Sequence, residues 1–191
     1  MSEDGKKRDL IKAHLNRPIA LIGMMGAGKS ALGVRLAARL DLPFADADAA
    51  IEEAAQMSVA EIFDMHGEAA FRDGERRVIK RLLGDGPHIL ALGGGAFMDE
   101  GTRDLVRQKA LSIWLDVPLG ELVARVKKKP DKRPLLIGRD VEATLADLLA
   151  VRGPVYQQAD MRVDVGGGHS HDEALETLLD ALIAHLTAES P

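Results

Sequence analysis

The sequence predicts an α/β protein in which helices cover both faces of a parallel sheet. Short apolar segments typical of buried strands alternate along the 191 residues with stretches of helical periodicity. A glycine-rich turn at residues 23–30 joins the first of these strands to a helix. Hydrophobic residues make up 46% of the chain and charged residues 29%, a balance that gives a globular protein a substantial core. We therefore expect one domain at 18–191, preceded by an N-terminal extension at 1–17 that is mobile or loosely docked.

The individual elements follow from periodicity and from residues that begin or end helices. Strands are predicted at 18–22, 42–46, 88–92, 110–115 and 161–165, and helices at 31–40, 49–55, 58–65, 68–83, up to 126, 142–158 and 172–186. Ser58 and Glu61 have the spacing of a capping box, and Gly67 should break the helix that follows. A kink or a restart is expected at Gly153-Pro154.

Residues 23–30, Gly-Met-Met-Gly-Ala-Gly-Lys-Ser, match the phosphate-binding P-loop pattern G-x-x-x-x-G-K-[ST] at every fixed position. Its backbone amides and the following helix N-terminus favour a polyphosphate, Lys29 can reach the β- and γ-phosphates, and Ser30 offers a hydroxyl to Mg²⁺. The alternative is a turn that only connects strand to helix. Because both flanking elements are also present, we expect the chain to bind a nucleoside triphosphate.

Asp46 and Asp48 stand at the end of a predicted strand, at the sheet edge where open α/β proteins bind ligands. In extended chain the two carboxylates point to the same side. One could hold Mg²⁺ through water, and the other could accept a hydrogen bond from a substrate hydroxyl. Alternatively, Asp48 caps the following helix.

Other candidates depend on their surroundings. Arg72 and Glu75 are three residues apart on one helix and can pair, although most such pairs are simply solvated. The triplet at 93–95 closes a strand with three glycines, which lets a ligand approach the main chain or only forms a loop. Arg133 lies in a basic, proline-rich loop that could close over a triphosphate. Arg152 could clamp a carboxylate or be a surface arginine, and it would share a helix face with Tyr156 if the helix runs through Gly153-Pro154.

Composition narrows the class of protein further. A net charge of −5 argues against a general nucleic-acid partner. No apolar run approaches the roughly 18 residues of a membrane span, and the charged N-terminus predicts that there is no signal peptide. The absence of cysteine favours a cytoplasmic protein, and we expect a monomer.

Together these motifs closely resemble the shikimate kinase family from about residue 18 to 186. The resemblance rests on the P-loop, Asp46-Ala47-Asp48, Phe71-Arg72 with Glu75, Leu92-Gly93-Gly94-Gly95-Ala96, Arg133-Pro134-Leu135-Leu136 and Arg152-Gly153-Pro154-Val155-Tyr156. It implies a three-layer, P-loop fold of the nucleoside monophosphate kinase type with a five-stranded parallel sheet. It also implies a substrate-binding insertion at about 47–82 and a lid at about 127–140.

The resemblance further implies phosphorylation of the 3-hydroxyl of shikimate by ATP with Mg²⁺, a step of aromatic amino acid biosynthesis. The expected ATP-binding residues are Gly26, Ala27, Gly28, Lys29, Ser30, Ala31 and Arg133. The expected shikimate-binding residues are Asp48, Arg72, Glu75, Gly93, Gly94, Gly95 and Arg152. Lys29, Asp48 and Arg133 are expected to act in catalysis, and Ser30 and, through water, Asp46 to hold the metal.

The chain departs from the family pattern at Ala31, where the family usually has Thr, in the glycine-rich segment 166–168 and in the lysine-rich stretch 127–132. Two alternatives stay open. A gluconate or nucleotide kinase would share the fold and the P-loop, and a non-catalytic nucleotide-binding module would share the P-loop without the remaining residues.

Overall fold

A computed structural model describes residues 3–84, 86–128 and 138–188. Within them, five strands form a single parallel sheet in the order β2-β3-β1-β4-β5. The strands are β1 (Ile19–Ile22), β2 (Phe44–Asp46), β3 (Ile89–Ala91), β4 (Leu111–Asp116) and β5 (Met161–Asp164). The predicted α/β class and five-stranded parallel sheet are confirmed.

Helices flank this sheet. They are α1 (Glu3–His14), α2 (Lys29–Leu40), α3 (Ala47–Ala55), α4 (Val59–Leu82), α5 (Glu100–Lys109), α6 (Leu119–Lys127), α7 (Val141–Tyr156) and α8 (His171–Ala188), with a short 3-10 helix at Ala96–Met98. Helices α1, α2 and α8 pack against one another, and α6 packs against α7.

The central strand β1 is apolar throughout because both of its faces are covered. All four of its residues are buried, whereas the edge strand β5 alternates buried and exposed residues. In the register Leu21 lies opposite Ala91 of β3, and the Leu92 amide donates to the Leu21 carbonyl (3.0 Å). The P-loop follows β1 and the glycine triplet follows β3, so the two loops begin next to each other at the same edge of the sheet.

The segment at 47–82 forms a small hydrophobic cluster of its own around Ile51, Ile62 and Phe71. The predicted capping box begins α4, since the Ser58 hydroxyl accepts from the Glu61 amide (3.2 Å) and the Glu61 carboxylate accepts from the Ser58 amide (2.7 Å). Within α4, Gly67 has φ 77° and interrupts the helical backbone as predicted.

For residues 3–17 the prediction of a mobile or loosely docked extension was wrong. Helix α1 buries Ile11 completely, and Leu15 is also part of the main core. Lys7 adds ion pairs to Glu176 (3.1 Å) and to Asp180 of α8. Although the segment is mostly polar, Ile11 and Leu15 are four positions apart, and this spacing lets both side chains pack into the core.

Helix α7 continues through Gly153 and Pro154, so the restart considered there does not occur. The Gln157 amide donates to the Gly153 carbonyl (3.0 Å) and carries the helical hydrogen bonding past the proline. Arg152 and Tyr156 consequently share a face. Most of the predicted lid at 127–140, including Arg133, lies outside the described residues.

Candidate active site

The P-loop wraps around the carboxyl end of β1 and leads into α2. Gly23, Gly26 and Gly28 have φ of 142°, 84° and 92°, a region that side chains disfavour. A Cβ on Gly23 would lie 2.8 Å from the Leu115 carbonyl oxygen. No side chain caps the N-terminus of α2, the end of a helix that favours an anion, and Ala31 lies in its first turn.

Lys29 and Ser30 occupy the first turn of α2. The Lys29 ammonium donates to the carbonyl oxygens of Gly23 (2.9 Å) and Met24 (3.0 Å), which holds the cation over the loop. The Ser30 hydroxyl donates to Oδ2 of Asp46 (2.6 Å). The structure thus brings the two oxygen ligands predicted for Mg²⁺ into contact.

The first helix turn after β2 is capped by Asp46, not by Asp48. Asp46 Oδ1 accepts from the amides of Asp48 (3.1 Å) and Ala49 (3.3 Å), which leaves the Asp48 carboxylate free of the capping role considered from the sequence. Although solvent reaches Asp48, the surrounding protein desolvates its carboxylate, and together with Asp46 raises its pKa. The charge of Lys29 lowers the pKa of the same carboxylate, so Asp48 lies within electrostatic reach of the P-loop.

Arg72 and Glu75 form a partly buried pair in α4, not the solvated pair that this spacing usually indicates. Arg72 Nη1 lies 2.6 Å from Oε2 of Glu75, whose side chain is only 2% exposed. Burial raises the pKa of Glu75, and the hydrogen bond from Arg72 partly opposes that rise. The Arg72 guanidinium is therefore oriented by a side chain that solvent barely reaches.

The glycine triplet makes room for these side chains. A Cβ on Gly93 would lie 2.4 Å from Oδ1 of Asp48, and one on Gly95 would lie 2.8 Å from an Arg72 nitrogen. The sequence suggested that the glycines admit a ligand to the main chain. In the structure, the protein's own carboxylate and guanidinium groups already rest against two of them.

Gly94 joins the two halves of the site. Its carbonyl accepts from Arg152 Nη1 (3.0 Å) and from the hydroxyl of buried Tyr156 (2.5 Å). A Cβ placed on Gly94 would lie 3.6 Å from the Met25 amide nitrogen and 3.8 Å from the Gly23 carbonyl oxygen. Arg152 therefore lies next to the P-loop and not on another surface.

Two arginines outside the predicted site join separate elements of the fold. Arg76 forms two hydrogen bonds with Asp99 (3.0 and 2.8 Å), the residue that caps α5. Arg125 Nη1 donates to the P-loop carbonyl of Ala27 (3.3 Å). The sequence contains no signal for either contact, because each depends on how separate elements pack.

The oxygen atoms of Ser30 and Asp46 are the candidates for binding Mg²⁺. Among the described residues no group of three or more His, Asp or Glu side chains could hold a metal ion. The contacting oxygens of Ser30 and Asp46 fit Mg²⁺, which usually binds one or two protein oxygens together with phosphate and water.

None of the helices in the described part of the chain is long and apolar enough to span a membrane.

The parallel sheet, the P-loop between β1 and α2 and the charged cleft beside it define a P-loop phosphotransferase of the nucleoside monophosphate kinase type. The family model "Shikimate kinase" matches residues 25–183, most of the chain. The chain belongs to the shikimate kinase family.

Individual relatives agree. The shikimate kinase of Rhodopseudomonas palustris is 48% identical over 186 residues, which cover 97% of this chain and 91% of that protein. A solved shikimate kinase from Acinetobacter baumannii, in complex with shikimate, superposes with a TM-score of 0.84 at 31% identity and covers 95% of this chain and 99% of its own. A gluconokinase from Sinorhizobium meliloti gives a TM-score of 0.56 at 16% identity, covers 90% of this chain and 94% of its own, and shares the fold alone.

Proposed function

We propose that this chain transfers the γ-phosphoryl group of ATP to the 3-hydroxyl of shikimate and releases shikimate 3-phosphate and ADP. The single observation that supports this most directly is the position of Gly94, whose carbonyl accepts from Arg152 and where an added Cβ would lie 3.6 Å from the Met25 amide nitrogen of the P-loop. A phosphate donor and a small acid held at these two places would be neighbours. Positioning and charge neutralisation contribute most to phosphoryl transfer, because its loose transition state needs little covalent help.

The phosphate half of the site uses the main chain. We propose that amides of Gly26, Ala27, Gly28 and Ala31 surround the phosphates and that Lys29 moves from the Gly23 and Met24 carbonyls onto them. Ser30 and, through water, Asp46 would hold Mg²⁺, which neutralises charge on the phosphates when bound. Arg133, in the proposed lid, would add a further positive charge on closure.

The acid half uses side chains. Arg72 and Arg152 present guanidinium groups that suit a carboxylate, and Glu75 keeps Arg72 oriented. Asp48 would orient the reacting hydroxyl and accept its proton late in the transfer. We propose that the amides of Gly93, Gly94 and Gly95 bind the remaining hydroxyl oxygens. We also propose a monomeric, cytoplasmic enzyme with a substrate-binding insertion at 47–82 and a lid at 127–140.

A coupled assay of ADP release with shikimate, gluconate and AMP distinguishes the candidate functions. Shikimate should give turnover well above the ATPase background, and gluconate and AMP should not. Turnover with gluconate or AMP alone would replace the proposal with a related kinase. ADP binding without turnover of any acceptor would favour a non-catalytic nucleotide-binding module.

A further inference from the structure

The two sides of the central strand β1 differ in what they can hold. On the β2 and β3 side lie Asp48 and the glycine triplet, the groups proposed to bind the acid. The phosphates of the proposed substrate ATP would occupy the P-loop at the end of β1 itself. If the acid lies on that side, as the proposed function states, the nucleoside end of ATP must extend toward β4 and β5.

A carboxylate stands at the place where the nucleoside would emerge. Glu121 in α6 accepts hydrogen bonds through Oε1 from the amides of Gly167 and Gly168, the latter at 3.1 Å. Both glycines have positive φ, 78° and 72°, so their successive amides converge on one point. Such convergent amides form an anion-binding concavity, and here the protein's own carboxylate fills it.

The other oxygen of Glu121 holds Arg125. Oε2 of Glu121 lies 3.1 Å from Arg125 Nη2, which also donates to the Val165 carbonyl (3.4 Å). Arg125 Nη1 reaches the Ala27 carbonyl in the P-loop (3.3 Å). A pair four residues apart on a helix is usually worth a few tenths of a kcal/mol, but here each partner also contacts a different loop.

The glycine turn is pressed against the start of α6. A Cβ on Gly166 would lie 2.2 Å from Cδ of Pro118, the residue before α6, so the turn packs there without room for a side chain. The side chains of Glu121 and Arg125 are 28% and 33% exposed, which places the pair at the rim of the cleft. A lone carboxylate there would repel a polyphosphate, and Arg125 neutralises it.

We propose that Glu121 is a positioning residue for the nucleoside end of ATP. It ties the turn at 166–168 to Arg125, which in turn contacts the P-loop. It touches neither the reacting phosphate nor the acid. Its loss should weaken nucleotide binding through the elements that it holds, and the phosphate site and the acid site should keep their affinities.

The test compares Glu121→Ala and Glu121→Gln with the wild-type chain in three measurements. ADP affinity is measured by calorimetry without an acid, inhibition by inorganic tripolyphosphate is measured against ATP, and KM is measured for shikimate. Glu121→Ala removes all three contacts and should weaken ADP binding about tenfold. Glu121→Gln keeps an acceptor for the glycine amides and should weaken it about threefold.

The tripolyphosphate inhibition constant and the KM for shikimate should change by less than about twofold in both variants. Asp104→Asn, which removes the carboxylate of an exposed pair with Arg107 in α5, is the control and should leave ADP affinity unchanged. Unchanged ADP affinity in Glu121→Ala would overturn the proposal, and so would a parallel loss of tripolyphosphate affinity, which would mean that Glu121 shapes the P-loop. The ADP measurement needs no acceptor, so its outcome is separate from that of the shikimate assay.

Discussion

The phosphate half and the acid half of this cleft are built in opposite ways. The P-loop is one continuous stretch, residues 23–30, and most of its binding groups are main-chain amides. The acid half draws Asp48 from α3, Arg72 from α4 and Arg152 from α7, and places all three against three consecutive glycines. One half is therefore specified locally, whereas the other depends on the packing of distant segments.

Removal of one charged group from each half should have the largest effect and should separate the two. Asp48→Asn should lower kcat at least about a hundredfold and leave ADP affinity unchanged, because it removes the proton acceptor only. Lys29→Ala should lower kcat to a similar extent and also weaken ADP binding. Steady-state kinetics and calorimetry check both, with Glu53→Gln in α3 as the control. Turnover near that of the wild type in Asp48→Asn would refute its role.

The raised pKa of Asp48 adds a pH dependence to this variant. Burial disfavours the charged form in the folded state, so the stability that Asp48 contributes is present below its ordinary pKa and is lost as pH rises through the raised value. At pH 7 Asp48→Asn should therefore unfold at the same temperature as the wild type or higher. The acidic limb of kcat/KM in the wild type should lie above the ordinary Asp pKa of about 3.9.

Gly93→Ala tests whether the acid half depends on the glycine triplet at 93–95, which forms the floor of the cleft beside Asp48. The new Cβ would meet the Asp48 carboxylate, which is a movable side-chain end, so Asp48 should shift with little loss of stability. A displaced reacting group should lower kcat by about ten- to a hundredfold, with ADP affinity unchanged. Gly74→Ala in α4 is the control, since a Cβ there meets nothing within 4 Å. Normal kcat in Gly93→Ala would show that the floor tolerates a methyl group.

Arg152→Lys should have a smaller effect, confined to the acid. A single ammonium cannot reproduce the planar fork of a guanidinium, so the KM for shikimate should rise about tenfold and kcat should change little. Arg107→Lys on α5 controls for the same change of residue at an exposed site. If KM stays the same in Arg152→Lys, the arginine does not bind the carboxylate.

The smallest effect concerns an ion pair that joins α4 to the start of α5 and touches neither half of the cleft. Arg76 lowers the pKa of Asp99 to about 2, so this pair contributes stability above the ordinary Asp pKa, which is lost as pH falls through 2. Because the Arg76 side chain is 41% exposed and solvent screens the pair, Arg76→Gln should lower the unfolding free energy only slightly at pH 7. The difference from the wild type should shrink between about pH 5 and pH 2. Arg77→Gln, with its exposed partner Asp73, is the control, and an equal loss there would remove the special role of Arg76.

The same contrast explains how far the sequence could predict the molecule. The positions of the strands and the P-loop follow from local patterns, and Lys29 and Ser30 lie where the motif predicts them, whereas the strand order does not follow from any local pattern. Motif order also singled out Asp48, Arg72 and Arg152, but no local pattern shows that Gly93 accommodates Asp48. No local pattern marks Arg125, because its P-loop contact exists only after α6 packs.

The floor of three glycines also bears on attempts to change what this enzyme accepts. Asp48, Arg152 and Arg72 each lie against a successive residue of one tripeptide, so a single short loop fixes where all three are placed. Exchanging the three side chains alters which groups face the acceptor, but it does not move their anchoring points apart. A redesign for a longer acid would have to rebuild the loop after β3, which makes this loop the first target for loop-length libraries.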